Sequence, residues 1–536
     1  MKAALVLANK SGGAYEDVFG IHIPPLAAAY LASVAKQASY DVKFFDASIH
    51  RWGPKRLVEE ITGYDPDVAG FILNASWLHK PSVEAAKLVK KTTDALVVAG
   101  GHHATFTYPL LLRDGFDVVV LHEGEETFSE LLKVYREGGS LSSVKGIVFR
   151  DEHGRIVRNH LRELIWDLDK LPFPMFEVFD KKHYTMGLLD PSGSVVTVET
   201  SRGCPYNCEY CSVTKMWGGT WRFKSVERVL RELKRVCELG YKWVFIVDDN
   251  FIVPIKKMFN EGIKMLKEIV RRGLNKLRFI IQLRADLVAR NSEIASLLYE
   301  AGVRIAFLGI ESGDPNTLRN MRKNLYPDLS AKAVKILTDT GIIVHAGFIL
   351  GAPYETEEAM NTTLNYAYKL IDYGLDSAQF SIYTPLPGTD AFARALRENS
   401  LLTLNWDLYD TLHPVLKTHI SPIKLFIKQR LAHYSFFLRK GLKALSKGTL
   451  LPKPNKEKDI YLNNGVKYIL KKIPLYLLGL LKLPINALKL KIELSKHINP
   501  QDLKALKDAM KLWNEIHIKS LKSWYKYLTT HTPSKQ

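Results

Sequence analysis

The stretch Glu199-Thr-Ser-Arg-Gly-Cys204-Pro-Tyr-Asn-Cys208-Glu-Tyr-Cys211 constrains this chain more than any other part of it. Three of the four cysteines fall inside eight positions, spaced C-x3-C-x2-C. Thiolates that close repel one another unless a cation holds them, so the spacing asks for a metal or a cluster. A closed zinc site needs a fourth Cys or a His nearby. The nearest histidines in sequence, His183 and His345, lie outside any finger-like spacing. Iron–sulfur clusters usually take four thiolates, so three leave one iron with an open position that can bind a small molecule directly.

Composition sets the frame around that motif. A chain of 536 residues is too long for one ordinary domain. With three cysteines committed, only Cys237 remains, which excludes a disulfide framework and a Cys-rich second cluster domain. Cysteine usage of this kind places the chain in a reducing compartment, the cytoplasm. Met1-Lys-Ala-Ala-Leu-Val-Leu-Ala8 lacks the length and cleavage region of a signal peptide and reads as a first strand. No uninterrupted apolar stretch reaches the roughly 18 residues of a membrane span. Only six glutamines stand beside abundant Lys and Glu, a bias found in thermophilic proteins.

Strands and helices alternate through residues 1–150. Strands are predicted at Ala3–Ala8, Val42–Asp46, Val68–Leu73, Ala95–Ala99 and Phe116–His122. Helices fit Pro24–Lys36, Pro54–Thr62, Ser82–Thr92 and Glu126–Tyr135. The alternation implies a doubly wound parallel sheet with ligand loops at the strand C-terminal ends. Those loops are Asn74-Ala-Ser76-Trp77, Gly100-Gly101-His102-His-Ala-Thr105 and His122-Glu123-Gly124-Glu125. Their glycines let a ligand approach the backbone, or simply make tight turns. Val144–Arg150 and Arg155–Arg158 read as a hairpin and the Pro- and Phe-rich Asp167–Tyr184 as the linker, so that 151–190 connects the two units.

A second alternation fills residues 191–400. Six strands are expected at Val195–Thr200, Trp243–Asp248, Arg278–Leu283, Val303–Gly309, Ile342–Leu350 and Ser377–Tyr383. Helices fit Val226–Leu239, Met258–Arg272, Ser292–Ala301, Ser330–Thr340 and Glu357–Tyr373. Six β/α units suit a partial TIM-like (β/α)6 barrel, and the cysteine loop follows its first strand. The other strand ends carry Asp248-Asp249-Asn-Phe251, Gln282-Leu-Arg284-Ala-Asp286, Gly309-Ile-Glu311-Ser-Gly313, Gly351-Ala-Pro-Tyr-Glu-Thr356 and Tyr383-Thr-Pro-Leu-Pro-Gly-Thr389.

The cysteine spacing, with Tyr210 just before the third Cys, resembles the radical SAM superfamily. Pro24–Leu31, Asp46-Ala47, Gly100–Thr105 and Glu123–Thr127 resemble the cobalamin-binding domain that precedes many radical SAM cores. The resemblance implies a 4Fe–4S cluster on Cys204, Cys208 and Cys211, whose open iron chelates the amino and carboxylate groups of S-adenosylmethionine. An electron from a flavodoxin- or ferredoxin-type donor would then release a 5′-deoxyadenosyl radical that abstracts hydrogen from an unactivated carbon. Carried over by position, Tyr210, Asp248, Asp249, Gln282, Arg284 and Glu311 fall beside S-adenosylmethionine. Ser76, Gly100, Gly101, His102, Glu123, Gly124 and Glu125 fall beside cobalamin. Other cobalamin proteins of this fold present a cobalt-ligating His in Asp-x-His-x-x-Gly. Here Asp46-Ala-Ser-Ile-His50-Arg-Trp-Gly53 has two extra residues before the histidine, which argues against His50 as a ligand.

The net charge of +19 is concentrated beyond residue 420, where 24 Lys and Arg face 6 Asp and Glu. Lys424–Leu445, Gly465–Leu494 and Leu503–Leu528 read as basic amphipathic helices, with an apolar patch at Ile473–Leu481. The residues 401–536 are thus expected to form a mainly helical region that suits an anionic membrane surface. A helical cap with a solvated basic face is the plainer alternative. Nucleic acid is disfavoured, because no RNA-binding module is present and Leu and Ile outnumber stacking aromatics. Families with this domain order include enzymes that methylate hopanoids, form rings in archaeal tetraether lipids or modify lipid headgroups. The expectation is therefore a lipid-modifying enzyme peripheral to the inner face of the membrane. Methylation of a peptide, RNA or soluble product, and an iron–sulfur redox or sensor role, stand as alternatives.

Overall fold

The computed structural model describes residues 1–9, 21–187, 189–446 and 478–531. Two seven-stranded sheets dominate it. The first comprises β1 (Lys2–Leu7), β2 (Asp41–Asp46), β3 (Val68–Ile72), β4 (Leu96–Gly100), β5 (Val118–Val120), β6 (Ile147–Arg150) and β7 (Ile156–Arg158). Its order is β2-β1-β3-β4-β5-β6-β7, parallel as far as β5 and closed by the antiparallel β6–β7 hairpin. Helices α1 (Leu26–Gln37), α2 (Pro54–Tyr64), α3 (His79–Thr92), α4 (His102–Arg113) and α5 (Glu125–Arg136) cross between strands. The Val-Ala-Gly-Phe-Ile run of β3 is buried throughout, as a central parallel strand covered on both faces must be. The expected strand at Phe116–His122 shrinks to three residues, because Leu121 and His122 already turn toward α5.

The second sheet holds β8 (Thr185–Met186), β9 (Asp190–Val198), β12 (Trp243–Ile246), β13 (Arg278–Leu283), β14 (Val303–Glu311), β15 (Ile343–Leu350) and β16 (Ser377–Ile382). Strands β9 and β12 to β16 pair parallel in sequence order, forming the expected six-stranded partial barrel. Its helices are α6 (Val213–Trp217), α7 (Val226–Glu238), α8 (Lys256–Arg271), α9 (Ala285–Arg290), α10 (Ile294–Glu300), α11 (Pro315–Asn320), α12 (Pro327–Thr340), α13 (Glu357–Lys369) and α14 (Asp390–Arg397). Two short strands, β10 (Ser201–Gly203) and β11 (Trp221–Phe223), form a separate ribbon that frames the cysteine loop. The stretch around 167–184 packs tightly: Leu168, Leu171, Phe176, Phe179 and Tyr184 are buried in the largest core.

Beyond residue 420 lie α15 (Pro422–Ser446), α16 (Leu483–Leu494) and α17 (Pro500–His531). Helix α17 buries Leu506, Ala509, Leu512 and Trp513 against both domains. Arg158 pairs with Glu515 at 3.0 Å, and Lys519 donates to the Leu161 carbonyl at 2.6 Å, tying the same helix to the first domain. Most of the expected patch at Ile473–Leu481, like 465–477 as a whole, lies outside the described residues; 478–481 form a helical turn.

Candidate active site

The C-terminal ends of the two sheets meet, and the cysteine loop sits at that junction. Arg202, in β10, donates to Glu123 Oε1 at 2.7 Å, Glu125 Oε1 at 2.6 Å and Glu199 Oε1 at 2.9 Å. Glu123 and Glu125 follow β5, so a single buried guanidinium joins the first domain to the turn that launches Cys204. Arg222 of β11 adds a 3.0 Å bond to Glu123, whose other oxygen takes the Ile165 backbone N–H at 2.7 Å. Burial alone would raise the Glu123 carboxyl; Arg222 and Arg202 reverse this and hold it below its usual range. The two carboxylates expected beside cobalamin therefore join the domains through arginines, and Arg222 rather than either acid is left with unpartnered nitrogens among the described residues.

Gly203 leads into Cys204 at φ +97°, and an added Cβ would run into the Thr220 carbonyl. The backbone N–H of Gly203 donates to Asp249 at 3.0 Å. Asp248 accepts from the Thr200 N–H at 2.6 Å, from the Ser201 hydroxyl at 2.7 Å and from the Thr200 hydroxyl. Burial pushes the Asp248 carboxyl up to about 7 and the Asp249 carboxyl to about 6, against these bonds. Both acids thus brace the turn between β9 and the cysteines, where the sequence suggested direct cofactor contact. Gln282 donates to the Asp248 carbonyl at 3.4 Å. Arg284 is clasped by Asp286 at 3.0 Å and lies 3.8 Å from the ring centre of Tyr206, inside the cysteine loop. Glu311 has a left-handed backbone (φ +68°), pairs with Lys323 at 2.8 Å and takes a hydrogen bond from Tyr210.

Glu209, between Cys208 and Tyr210, escaped the sequence reading. Its buried carboxylate accepts from Tyr354 at 2.8 Å, Tyr383 at 2.6 Å and Arg394 at 2.9 Å. Its carbonyl takes the Ala391 N–H at 3.1 Å. The Gly351-to-Thr356 and Tyr383-to-Thr389 segments at the strand ends supply the two tyrosines, and α14 supplies Arg394. The signal lay in a buried acid inside a metal-binding loop, yet its partners sit too far along the chain for spacing to reveal them.

On the first-domain side, Gly101 adopts φ +109° with no room for a side chain, pressing the loop after β4 onto Leu73 and Asn74. Ser76 contacts His103 at 3.0 Å, and His103 contacts His79 at 2.8 Å, so Ser76 begins a buried relay. His102 packs edge-on to Trp217 at 5.6 Å, and Arg222 lies 5.4 Å from the same indole. Gly100 ends β4 and Gly124 precedes α5, and an added Cβ at either would make only ordinary contacts, with Val120 at 3.7 Å and Leu31 at 3.7 Å respectively. His50 stacks on Trp52 at 4.4 Å, in keeping with an ordinary loop histidine.

The junction carries polar atoms that the protein does not satisfy. Arg222 Nε and Nη2, His122 Nε2 and both amide atoms of Asn250 are buried without a partner among the described residues. Burial holds His102 and His122 neutral, pushing each down to about 4. The three thiols share one loop with no disulfide, and burial lifts the Cys204 thiol to about 11. Thiols so placed become ligands only when a cation replaces their protons. Among the described residues no three His, Cys, Asp or Glu converge on one point as a single ion demands. Thiolates of a four-iron cluster each bind a different iron and need no such convergence.

Residues 198–367 match the radical SAM superfamily and residues 15–132 match the B12-binding domain. An uncharacterized methyltransferase of Pyrococcus horikoshii is 34% identical over 444 residues, covering 82% of this chain and 93% of the relative. The hopanoid C-3 methylase of Methylococcus capsulatus is 27% identical over 412 residues, 76% of this chain and 75% of that enzyme. Among solved structures, the cobalamin-dependent S-adenosylmethionine radical enzyme OxsB, with aqua-cobalamin and S-adenosylmethionine bound, superposes with a TM-score of 0.63. At 16% identity, over 100% of this chain and 82% of OxsB, that likeness speaks for the fold. The unsatisfied donors at the domain junction and the three clustered thiols fit cobalamin, S-adenosylmethionine and a 4Fe–4S cluster.

Proposed function

This chain belongs to the radical SAM enzymes that carry a B12-binding domain, and we propose that it methylates, or closes a ring in, the apolar chain of a membrane lipid. When bound, the cluster, S-adenosylmethionine and cobalamin supply the electron, radical and methyl-transfer chemistry, and the protein supplies geometry and exclusion of water. Arg202, Asp248 and Asp249 hold the β9–β10 turn, so the cysteines project from a fixed frame. Glu209 and Tyr210 anchor the far half of that loop to β14, β15 and β16. Arg222, His122 and Asn250 offer donors and acceptors to the groups held between the sheets.

One observation carries the lipid assignment. Along the helical turn 478–481 and α16, Leu478, Leu481, Ile485, Leu488 and Ile492 recur at three- and four-residue steps and are 43–76% exposed. The opposite side, Ala487 and Leu490, packs on Phe426 of α15. Exposed Lys482, Lys489 and Lys491 flank the stripe. An apolar stripe edged with lysines suits the interface of an anionic bilayer, each lysine contributing on the order of 1 kcal/mol there. The hopanoid methylase among the relatives favours the same substrate class. No described helix is long and apolar enough to cross a membrane. The electron would come from a flavodoxin- or ferredoxin-type donor.

Deleting the whole basic region would strip α17 from the core, so point changes make the cleaner test. Leu481→Glu with Leu488→Glu should abolish co-sedimentation with phosphatidylglycerol liposomes and leave the unfolding temperature unchanged. Equal binding by parent and variant, or an altered oligomeric state with unaltered binding, defeats the membrane reading. Mass spectrometry of lipids from an expressing host distinguishes the reactions. A gain of about 14 mass units per event means methylation, and a loss of two hydrogens means ring closure.

A further inference from the structure

The cysteine loop has two sides. Its front faces the junction of the two sheets, where Arg202 and Arg222 close the gap to the first domain. Its reverse comes out in a cavity of about 310 Å³ between the loop, one face of α14 and the middle of α17. Glu209, bonded directly to Cys208, forms part of that wall, and so does Lys215, four positions after Cys211. The Glu209 backbone N–H donates to the Met321 carbonyl at 3.2 Å, which sets Arg322 beside the loop. On the other side of Cys208 stands Asn207, the one exposed residue between Ser201 and Cys211. The loop therefore reaches the surface at Cys208.

Positive charge gathers on this side. Lys215, Arg322, Arg394 and Arg397 line the cavity. Asp390 pairs with Lys215 at 3.0 Å and with Arg322 at 2.6 Å, and Glu209 pairs with Arg394 at 2.9 Å. Paired or not, charges add at a distance, and four cations against two carboxylates keep the cavity positive. Exposed Lys507 and Lys511 extend the rim one turn apart on α17, and Lys507 reaches Asn399, two residues beyond Arg397, at 3.3 Å. Glu398 is the exposed acid on that edge. Asp508 and Glu515 stand on the side of α17 next to the first domain, around Tyr108 and Arg158.

A positive face one residue from a cluster ligand selects its partner by chemistry. Electron transfer weakens steeply with distance, so a carrier has to dock where the cluster loop reaches solvent. Such encounters are brief, use small interfaces and are guided by opposite charge. We propose that the rim of this cavity, with Arg397, Lys507 and Lys511 as its outer cations, is the docking surface for an acidic one-electron carrier protein that reduces the cluster. One electron passes from carrier to cluster, and no bond is made or broken. The proposal rests on the radical SAM assignment and not on the lipid substrate.

Titration of the reconstituted full chain with oxidised flavodoxin at low ionic strength should give one weak site. Arg397→Glu with Lys507→Glu should weaken it on the order of tenfold, and the difference should vanish at about 1 M salt, where screening is nearly complete. In stopped flow, the rate at which flavodoxin hydroquinone bleaches the cluster should fall by the same factor, while dithionite reduces parent and variant alike. Both positions are exposed, so the variant should fold as the parent does, which unchanged thermal unfolding will verify. Lys482→Glu with Lys489→Glu, at α16, reverses as much charge elsewhere and should leave both readings at the parent value. An acidic ferredoxin is the second carrier where flavodoxin gives no binding. The proposal is overturned if neither carrier binds, if the rim variant binds as the parent does, if the α16 variant loses as much, or if dithionite slows equally. A chain that holds no dithionite-reducible cluster defeats the radical SAM assignment, and the docking surface with it; a reducible cluster with unaltered carrier binding defeats the surface alone.

Discussion

The carboxylate of Glu209 accepts a hydrogen bond from the Tyr383 hydroxyl at 2.6 Å, across 174 residues of chain. Since Glu209 is bonded directly to Cys208, this contact ties the cysteine loop to the end of β16. Burial, together with the Glu209 charge, holds the phenols of Tyr383 and Tyr354 well above their ordinary range. Both therefore stay protonated, and both remain donors, at any physiological pH. The loop is anchored by neutral donors plus Arg394, so its position should not drift with pH.

Replacing Tyr383 by Phe keeps the ring and removes one of the donors to Glu209. A buried acceptor that loses a partner costs about 1–3 kcal/mol. Urea unfolding of the apo chain should show that loss, and the electron paramagnetic resonance signal of the reconstituted, reduced cluster should broaden. Unchanged stability together with an unchanged signal would mean that Tyr354 and Arg394 hold the loop unaided.

Arg202 presents a sharper case. Replaced by Met, it leaves Glu199, Glu123 and Glu125 buried around an apolar side chain, with Arg222 and Lys224 as the remaining cations. Breaking a buried pair from one side costs about 3–5 kcal/mol. The substitution should also separate the unfolding of the two domains, turning one calorimetric transition into two. Adding Glu123→Gln and Glu125→Gln should return part of the stability, because the orphaned charges are then gone.

The parts legible in the sequence were those written locally. Strand–helix alternation located both sheets, and the C-x3-C-x2-C spacing located the cluster loop, because both patterns lie within a few turns of chain. Function-bearing contacts that cross the fold left no such trace. Glu209 meets Tyr354, Tyr383 and Arg394 only after β15 and β16 have closed beside β14. Glu123 and Glu125 stand where a ligand loop should be, and nothing in their neighbours announces that Arg202, 77 positions after Glu125, will occupy them. The basic helix α17 misled for a different reason. A stripe of Leu and Trp edged by Lys has one pattern whether it faces lipid or its own core, and α17 faces the core while α16 does not.

Stability should depend on pH through Glu355. Its carboxyl is fully buried, bonded to the Gly351 N–H at 2.5 Å, and burial pushes it up to about 7 from an ordinary value near 4.5. A raised folded value means that the native state holds the proton longer than the unfolded chain. Its contribution is complete below about pH 4.5, falls as pH rises toward 7, and is gone above that, a loss of order 3 kcal/mol. Neutral buried histidines such as His345 and His433, each pushed down to about 4, act in the opposite direction over pH 4 to 6.5. The difference between Glu355→Gln and the parent therefore isolates the carboxyl. In urea unfolding between pH 5 and 8, the variant should gain relative to the parent as pH rises. A flat difference would show that Glu355 ionises freely.

Two glycines of the cysteine-loop frame separate conformational strain from collision. Gly203 and Gly219 both have positive φ, +97° and +68°. Around Gly219 an added Cβ meets nothing within 4 Å, whereas at Gly203 it strikes the Thr220 carbonyl of the paired β11 side. Gly219→Ala should cost only the left-handed penalty, roughly 1–2 kcal/mol, and leave iron loading intact. Gly203→Ala adds a backbone collision that can be relieved only by opening the β10–β11 ribbon, which moves Cys204 away from Cys208 and Cys211. After identical reconstitution, iron and sulfide per chain should fall steeply in Gly203→Ala and stay near the parent value in Gly219→Ala, with far-ultraviolet circular dichroism unchanged in both. Equal loading of the two variants would show that the ribbon yields without carrying Cys204 with it.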